Sequence, residues 1–424
     1  MVEDLKNILN AVSGNIYYDN LPIKKSDLVS EISKWSIILK DYNSIIIRLN
    51  KQPEWWPIFF ACAIECKRLT ILDDQINSET LNKIKHDTSC DFEIWQENEK
   101  LCTKNNELNN LQKLQLQESE FIIYTTGTTK NPKGVIIPFH SFFENQFLIN
   151  SKFLVSQNDS SIHILNQSHS MGFAFSVLCF LKGGDMFTVR NSLILYRTLC
   201  NMNFDIIMLP PNLLINLFNS PEFLEKARNM KFIATGGSYL DPKIYDVAAQ
   251  NNIHIVNGYG MTECVSGIAS GSSTHISNDN GVEPFTDIKI DTNGEILVKG
   301  STVCKKYITG EDICDENGWY HTKDLGHWKG NKLYIDGRLD NVIILDSGYK
   351  VCLEDLEKRI LQITQIQDCN VQFTNNCLKM YVVLKQKDVF PSEEIKKKLY
   401  FYENVNIIIV DEIDYTNNKK KYKG

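Results

Sequence analysis

The feature that most restricts the fold is an alternation, repeated through most of the chain, of short β-branched runs with apolar helical segments. "SIIIRLN" (44–50) reads as a strand, "PEWWPIFFACAIECK" as a buried helix, and "LTILD" as the next strand. Strand–helix–strand order of this kind makes a βαβ unit of a parallel sheet. The unit recurs. "SSIHILN" (160–166) precedes an apolar helix at 173–182, and "FDIIML" (204–209) precedes "PPNLLINLF". "KFIATGG" (231–237) precedes "DPKIYDVAAQ" and then "IHIVNGYG". Residues 3–12 and 24–41 add apolar positions at helical spacing. The expectation is an α/β fold of layered sheets, with its functional loops at strand C-termini.

From about residue 285 the texture changes to short strands and turns, "DIKIDTNGEILVKG" and "NKLYIDGR". After "GRLDN" come "VIILDSGYKV", a helix at 353–362, the strands "NVQFTN" and "CLKMYVVLK", a helix at 392–402 and the strand "VNIIIVD". At ~150 residues per domain, a chain of 424 residues divides into two or three. We therefore expect a large layered α/β domain over 1–339 and a small α+β domain over 340–424. No internal repeat or low-complexity linker separates them.

Composition narrows the class. A net charge of −7 argues against nucleic acid as the main partner, and the one dense basic run, "KKKYK" at the C-terminus, reads as a solvated tail. "MVEDLKNILNAVSG" lacks the layout of a signal peptide, and "WWPIFFACAIEC" is far shorter than the ~20 residues of a membrane span. Twelve cysteines without a C-x-x-C pair read as buried thiols in a reducing, cytoplasmic setting, with no zinc cluster.

The stretch "YTTGTTKNPKGV", Tyr124 to Val135, lies between the apolar runs "EFIIY" and "VIIPF". Small residues and hydroxyls at one bend offer backbone N–H groups and short donors to a phosphate chain, and a lysine offsets its charge. The spacing of a Walker A loop is absent, and a strand rather than a helix follows. Together with "NGYGMTEC" (257–264), "NGWYHTKDLG" (317–326) and "YIDGRLDNVIILDSGYKV" (334–351), the stretch resembles the signatures of the acyl-adenylate-forming enzymes. That superfamily includes acyl-CoA synthetases, nonribosomal-peptide adenylation domains and firefly luciferase. The four motifs stand in the family's order and cover most of the chain from 121 on.

The resemblance implies ATP and Mg²⁺, and a role for each motif residue. Thr125, Thr126, Gly127, Thr128, Thr129 and Lys133 would hold the pyrophosphate. Gly236, Gly237, Ser238, Tyr259 and Gly260 would form the adenine slot, glycines admitting the flat base and the ring covering it. Thr262 would bind the α-phosphate. Glu263 would hold Mg²⁺, a hard cation that prefers oxygen ligands. Asp324 would accept from the ribose hydroxyls, with Arg338 close by. In the tail "EIDYTNNKKKYKG", alignment on Thr416 makes Lys420 the catalytic lysine, flanked by Lys419 and Lys421. Asp340 would be a hinge, and Gly348, Tyr349 and Lys350 would line a tunnel for a pantetheine arm. Lys130 and Lys323 stand where the family most often has glycine, a residue suited to positive φ.

The acid pocket of the family draws on "QSHSMGFAFSVL", "ATGG" and "YGMTEC". Amino-acid-activating members place an aspartate in the first segment to pair with the ammonium. Counting back from Gly183 and Gly184 reaches Ser170, and no Asp or Glu occurs between 164 and 184. A buried ammonium without a partner is too costly, so α-amino acids are rejected. Met171, Phe173 and Phe175 point to an apolar aryl or acyl acid, with Gly260 at the pocket's edge. His169 matches an aromatic gate between acid and thiol, and His140 reads as support for the phosphate loop. The chain is thus expected to be an AMP-forming acid–thiol ligase with CoA or a carrier-protein phosphopantetheine as acceptor. The alternatives are an acyl-AMP ligase dedicated to a carrier protein or a non-thiol acceptor, and a non-catalytic nucleotide-binding paralogue.

Overall fold

The computed structural model describes residues 14–18, 21–23, 25–49, 51–97, 100–106, 118–125, 133–237, 240, 242–273, 281–339, 342–344, 350–374, 377–386, 390–399, 405–414 and 421–423. Its chain forms two compact units. The first takes in the chain up to Thr125, Lys133–Asp287 and Val298–Tyr320; the second takes in Ile288–Leu297 and everything from His321. The expected boundary at Asp340 falls within the span of the second unit, and Asp340 itself lies outside the described residues.

The first unit is built on two sheets. One has six strands in the order Lys100–Asn105, Phe92–Glu97, Ser44–Arg48, Arg68–Ile71, Glu120–Tyr124 and Gly134–Pro138. Its central strands run parallel, Ile45 beside Leu69 and Leu69 beside Phe121. The run Ile45–Ile47 is fully buried. Parallel strands covered on both faces read as such continuous β-branched runs. The other sheet has nine strands, in the order Glu283–Pro284, Ala269–Ser273, Ile255–Tyr259, Phe232–Gly236, Ile206–Leu209, Ser161–His163, Met186–Thr188, Ile16–Tyr18 and Leu21–Ile23. Its parallel centre produces the expected βαβ crossovers, with helices Pro211–Leu217 and Pro242–Gln250 between successive strands.

The helix Trp55–Ile64 is buried almost all round. It meets helix Phe139–Phe153, helix Ser170–Lys182 and the strand Glu120–Tyr124 through one aromatic cluster. Within it, Phe173 stacks on Phe142 at 4.6 Å, Trp56 stacks on Phe180 at 4.5 Å, and Phe59 lies edge-on to Phe121 at 6.2 Å. Such pairs add about 0.5–1.5 kcal/mol each beyond the area they bury. Helix Phe139–Phe153 starts at Pro138 without a side-chain cap, so packing rather than a local signal sets where it begins.

In the second unit, helices Leu353–Leu361 and Ser392–Lys398 accompany a three-stranded sheet of Ile366–Thr374, Cys377–Leu384 and Val405–Ile409. Leu356, Ile360, Val371, Met380, Val382 and Ile395 form its core. The small α+β pattern read from the tail is thus present. The fold as a whole is α/β, large layered sheets accompanied by a small α+β unit.

Among the described residues no helix is long and apolar enough to cross a membrane. Cys62, Cys90, Cys179, Cys264, Cys304 and Cys369 are buried free thiols, whereas Cys66 and Cys200 are exposed, contrary to the expectation of buried thiols throughout.

Candidate active site

Within the first unit, the ends of two neighbouring parallel strands converge on one loop. Gly236, closing Phe232–Gly236, lies in register with Gly258 of Ile255–Tyr259. A Cβ on Gly236 would stand 2.5 Å from the Gly258 carbonyl oxygen. Gly237 follows at φ +76° with Met171 packed against it. A Cβ on Gly260 would fall 1.5 Å from the Ser266 carbonyl oxygen, so only glycine fits. These glycines let backbones approach more closely than any side chain would permit. Tyr259 beside them is half-buried rather than spent in the core.

The strand end then turns through a short 3₁₀ segment, Thr262–Cys264. Val265 and Ser266 immediately after it take φ of 57° and 91°. A β-branched residue in the left-handed region is a true outlier, of a kind that gathers at functional loops. The hydrogen bonds Val265 N–H to Thr262 O (3.1 Å) and Ser266 N–H to Met261 O (3.0 Å) hold it.

That turn sets two side chains. The Thr262 hydroxyl donates to the Ser170 hydroxyl at 3.2 Å, joining the loop to the N-terminus of helix Ser170–Lys182. Glu263 Oε1 accepts from the Tyr307 hydroxyl at 3.1 Å, and the Glu263 carbonyl accepts from Cys304 N–H at 2.8 Å. Burial, then the Glu263 charge, pushes the Tyr307 phenol up, so it stays a donor. Lys133 Nζ lies 4.7 Å from the Tyr307 ring centre and pairs with Glu311 Oε2 at 2.7 Å. Thr125 N–H donates to the Lys133 carbonyl at 2.9 Å. Thr126, Gly127, Thr128, Thr129, Lys130 and Ser238 lie outside the described residues.

His169 stands at the N-terminus of helix Ser170–Lys182 without a side-chain cap and is exposed, yet partial desolvation holds its imidazole below the usual histidine value, with Asp73 opposing. Asn166 carries the preceding loop. Its Nδ2 donates to Asp73 Oδ2 at 2.6 Å, and its Oδ1 accepts from Ser168 N–H at 2.8 Å. Phe173 and Phe175 are buried, and Phe173 is accounted for by the aromatic core. Ser170 and Met171 are half-buried; Ser170 meets Thr262, and Met171 packs against Gly237. His140 pairs with Glu118 at 2.9 Å.

In the second unit, Asp324 and Arg338 face each other across the hairpin of Tyr320–Lys329 and Lys332–Arg338. Asp324 is almost fully buried, and Arg338 Nη1 donates to its Oδ1 at 2.8 Å. Lys323 next to it takes φ +58°, the conformation a glycine would take, while its N–H donates to Glu295 Oε1 at 2.9 Å. Lys350 lies in the strand Lys350–Cys352. Asp340, Gly348, Tyr349, Lys419 and Lys420 lie outside the described residues.

Among the described residues, no three His, Cys, Asp or Glu side chains gather as a metal cage. Glu263 alone, an oxygen donor in a loop suited to phosphates, fits Mg²⁺. That ion is typically held by one or two carboxylates, with phosphate oxygens and water completing its shell. The sequence reading missed Tyr307, Glu311, Asp73 and Asn166. Tyr307 reaches the site by pairing with Val135, distant in sequence, which no local pattern announces.

Closely packed glycines and a turn carrying Thr262 and Glu263 thus gather at the strand ends of layered α/β sheets. The chain belongs to the AMP-binding enzyme family, whose model matches residues 37–308. It is 29% identical over 295 residues to a D-alanine–D-alanyl carrier protein ligase of Listeria innocua, a match covering 60% of this chain and 56% of the relative. It is 25% identical over 276 residues to a long-chain-fatty-acid–CoA ligase of Mycobacterium tuberculosis, covering 59% and 54%. The chain thus spans about half the length of the curated relatives it matches. The o-succinylbenzoate CoA synthetase of Bacillus subtilis, solved with its acyl-adenylate, shares the fold. The TM-score is 0.78 at 16% identity, covering 96% of this chain and 93% of that one. An anthranilate CoA ligase solved with anthranoyl-AMP gives 0.79 at 14% identity, covering 99% and 95%.

Proposed function

We propose that this chain activates a non-amino carboxylic acid, aryl or fatty acyl, with ATP and passes the acyl group to a thiol. The contact that carries the reading is the 3.2 Å hydrogen bond between Thr262 and Ser170. Thr262 is the proposed α-phosphate ligand, and Ser170 is the proposed wall of the acid pocket. With the two hydroxyls touching, a carboxylate and an α-phosphorus bound there are neighbours, and reacting atoms need to approach to about 3–3.5 Å. In the first step a carboxylate oxygen bonds to the α-phosphorus and the bond to the β-phosphate breaks, releasing pyrophosphate. In the second a thiolate attacks the acyl carbon and AMP leaves.

The residues have distinct tasks in this reading. Gly236, Gly237, Ser238, Tyr259 and Gly260 hold the adenine, and Thr125, Thr126, Gly127, Thr128, Thr129 and Lys133 hold the phosphates. Asp324, paired with Arg338, accepts from the ribose. Glu263 is the protein ligand for Mg²⁺, which when bound offsets the repulsion between two anions. Lys420 adds a second positive charge at the reacting oxygens, Asp340 is the hinge, His169 is the gate of the thiol path, and Gly348, Tyr349 and Lys350 are its lining. CoA and a carrier-protein phosphopantetheine are both suitable acceptors.

The test is carboxylate-dependent ATP–pyrophosphate exchange without thiol, run across aryl, short-chain and long-chain acids and D-alanine. D-alanine belongs in the panel because one relative bears that substrate in its name. Exchange with one aryl or acyl class is the expected outcome. Exchange with D-alanine alone would overturn the argument from Ser170. Silence with every acid, in folded protein that binds ATP, would favour a binding role without catalysis.

A further inference from the structure

The phosphate-loop lysine, Lys133, and the proposed metal carboxylate, Glu263, are far apart in the sequence, yet both touch one side chain. We propose that Tyr307 is a positioning residue for adenylation, which aims Glu263 at the cation and Lys133 at the phosphates. This rests on the proposed function and adds a residue that none of the nucleotide motifs contains.

Three observations carry it. Tyr307 is fixed independently of any ligand: it bridges to Val135, its N–H donates to Glu311 O at 2.9 Å, and Ile308 N–H donates to Gly134 O at 2.8 Å. The backbone immediately after Lys133 is therefore tied to the segment that carries the phenol. Next, the phenol commits Glu263 Oε1 through one hydrogen bond of 3.1 Å. An ionised carboxylate has about four acceptor directions, so a single firm donor selects its orientation and leaves the others for a metal ion. Cys304 N–H, three residues before Tyr307, holds the Glu263 carbonyl as well, so side chain and backbone are set from one segment.

Finally, Lys133 lies over the Tyr307 ring and pairs with Glu311. The ring face attracts the ammonium without occupying its donors, while Glu311 holds it as a phosphate would. Both partners of that ion pair are substantially exposed, so an arriving triphosphate can take the lysine over. Tyr307 then keeps Lys133 at the loop during the exchange, and Glu311 competes with nucleotide for it.

Two substitutions separate the parts. Tyr307→Phe keeps the ring over which Lys133 lies and deletes only the hydroxyl. Glu311→Gln removes the competitor for Lys133. Mn²⁺ serves as the probe cation, its free concentration read by electron paramagnetic resonance in the presence of full-length protein and ATP. Nucleotide affinity without metal is read by calorimetry in EDTA.

For Tyr307→Phe we expect Mn²⁺ to bind the protein–ATP complex three- to tenfold more weakly. Metal-free ATP affinity should be unchanged. In exchange assays the half-saturating Mg²⁺ should rise by the same factor while the KM for the acid stays constant. For Glu311→Gln we expect metal-free ATP to bind severalfold more tightly. Unchanged Mn²⁺ affinity in Tyr307→Phe would overturn the assignment and leave Tyr307 a rung of the fold. An equal loss of Mn²⁺ and of metal-free ATP binding would overturn it too, because the hydroxyl would then be supporting the whole loop. Failure of the wild-type protein to bind Mn²⁺ with ATP, or to exchange with any acid, would instead sink the proposed function itself.

Discussion

Residue by residue, the departures from the expected motifs test whether the backbone has changed with the side chain. Lys323 stands where glycine is commonest, and its φ of +58° shows that the backbone has kept the glycine-like conformation. The side chain, not the turn, is what differs, so this position gives no support to a degenerate fold. A left-handed L-residue costs roughly 1–2 kcal/mol, against which glycine loses about 0.5–1 kcal/mol of extra chain entropy on folding. Lys323→Gly should therefore leave stability unchanged or raise it by up to about 1 kcal/mol. Lys323→Val, whose β-branch tolerates the conformation less well, should lower it. Thermal unfolding of the three proteins checks this, and a loss in Lys323→Gly would mean that the lysine makes a contact outweighing its strain. Val265 and Ser266 pose the same question next to Glu263, where the strain lies in the loop that aims the proposed metal ligand.

Among the elements, the parallel strands carry both the fold and a pH liability. His163 ends the strand Ser161–His163 and is buried, its Nε2 paired with Ser161 Oγ at 2.9 Å and its Nδ1 with Ser176 Oγ at 3.4 Å. Desolvation pulls its pKa from 6.5 down to about 3. The native state therefore refuses a proton that the unfolded chain accepts below pH 6.5. Stability is unaffected above that pH and falls by about 1.4 kcal/mol per pH unit as pH drops from about 6.5 toward 3. His163→Gln should be the less stable protein at pH 7, having lost packing and hydrogen bonds. Its deficit should shrink by about 2 kcal/mol at pH 5, as read from urea unfolding at the two pH values. A deficit independent of pH would mean that His163 takes up its proton within the folded protein. The strands themselves were legible because "SIIIR", "IIML" and "FIATG" are buried on both faces and bounded by turn residues. Helix Phe139–Phe153 was not read, because it opens on Pro138 without a side-chain cap. The short strands Ile16–Tyr18 and Leu21–Ile23 were missed as well. Ile16 pairs with Met186, and a three-residue strand paired at that distance has no local period. The same holds at the candidate site. Glycines and a Thr-Glu turn announce themselves in order along the chain, whereas Tyr307 and Asp73 matter only through partners far away in it.

For the molecule as a whole, the residues proposed for one reaction are divided between two compact units. The family match ends at residue 308, within the first unit, which carries Lys133, His169, Ser170, Thr262 and Glu263. The second unit carries Asp324, Arg338, Lys350 and Lys420, with its own core of Leu356, Met380, Val382 and Ile395. A segment with a separate core can reorient as a rigid body about a few linking residues. We propose Asp340 for that role because it lies in the sequence "RLDN", between the strand Lys332–Arg338 and the segment that carries this core. Adenylation and thiol transfer would then call on different faces of the segment after Asp340, Lys420 for the first and residues 348–350 for the second. A hinge must change φ and ψ, and proline locks φ near −65°. Asp340→Pro should therefore hold the molecule in one of the two arrangements, so that only one half-reaction falls. If adenylation is the one retained, carboxylate-dependent pyrophosphate exchange should stay within about twofold of wild type, while transfer to the thiol falls at least about tenfold. Asp340→Ala, free to rotate, should keep both. The two half-reactions are measured separately, exchange without thiol and single-turnover discharge of preformed acyl-AMP with it. A proportional loss of both in Asp340→Pro, with the fold intact, would identify Asp340 as a fixed turn, and would require that one arrangement of the units serve both steps.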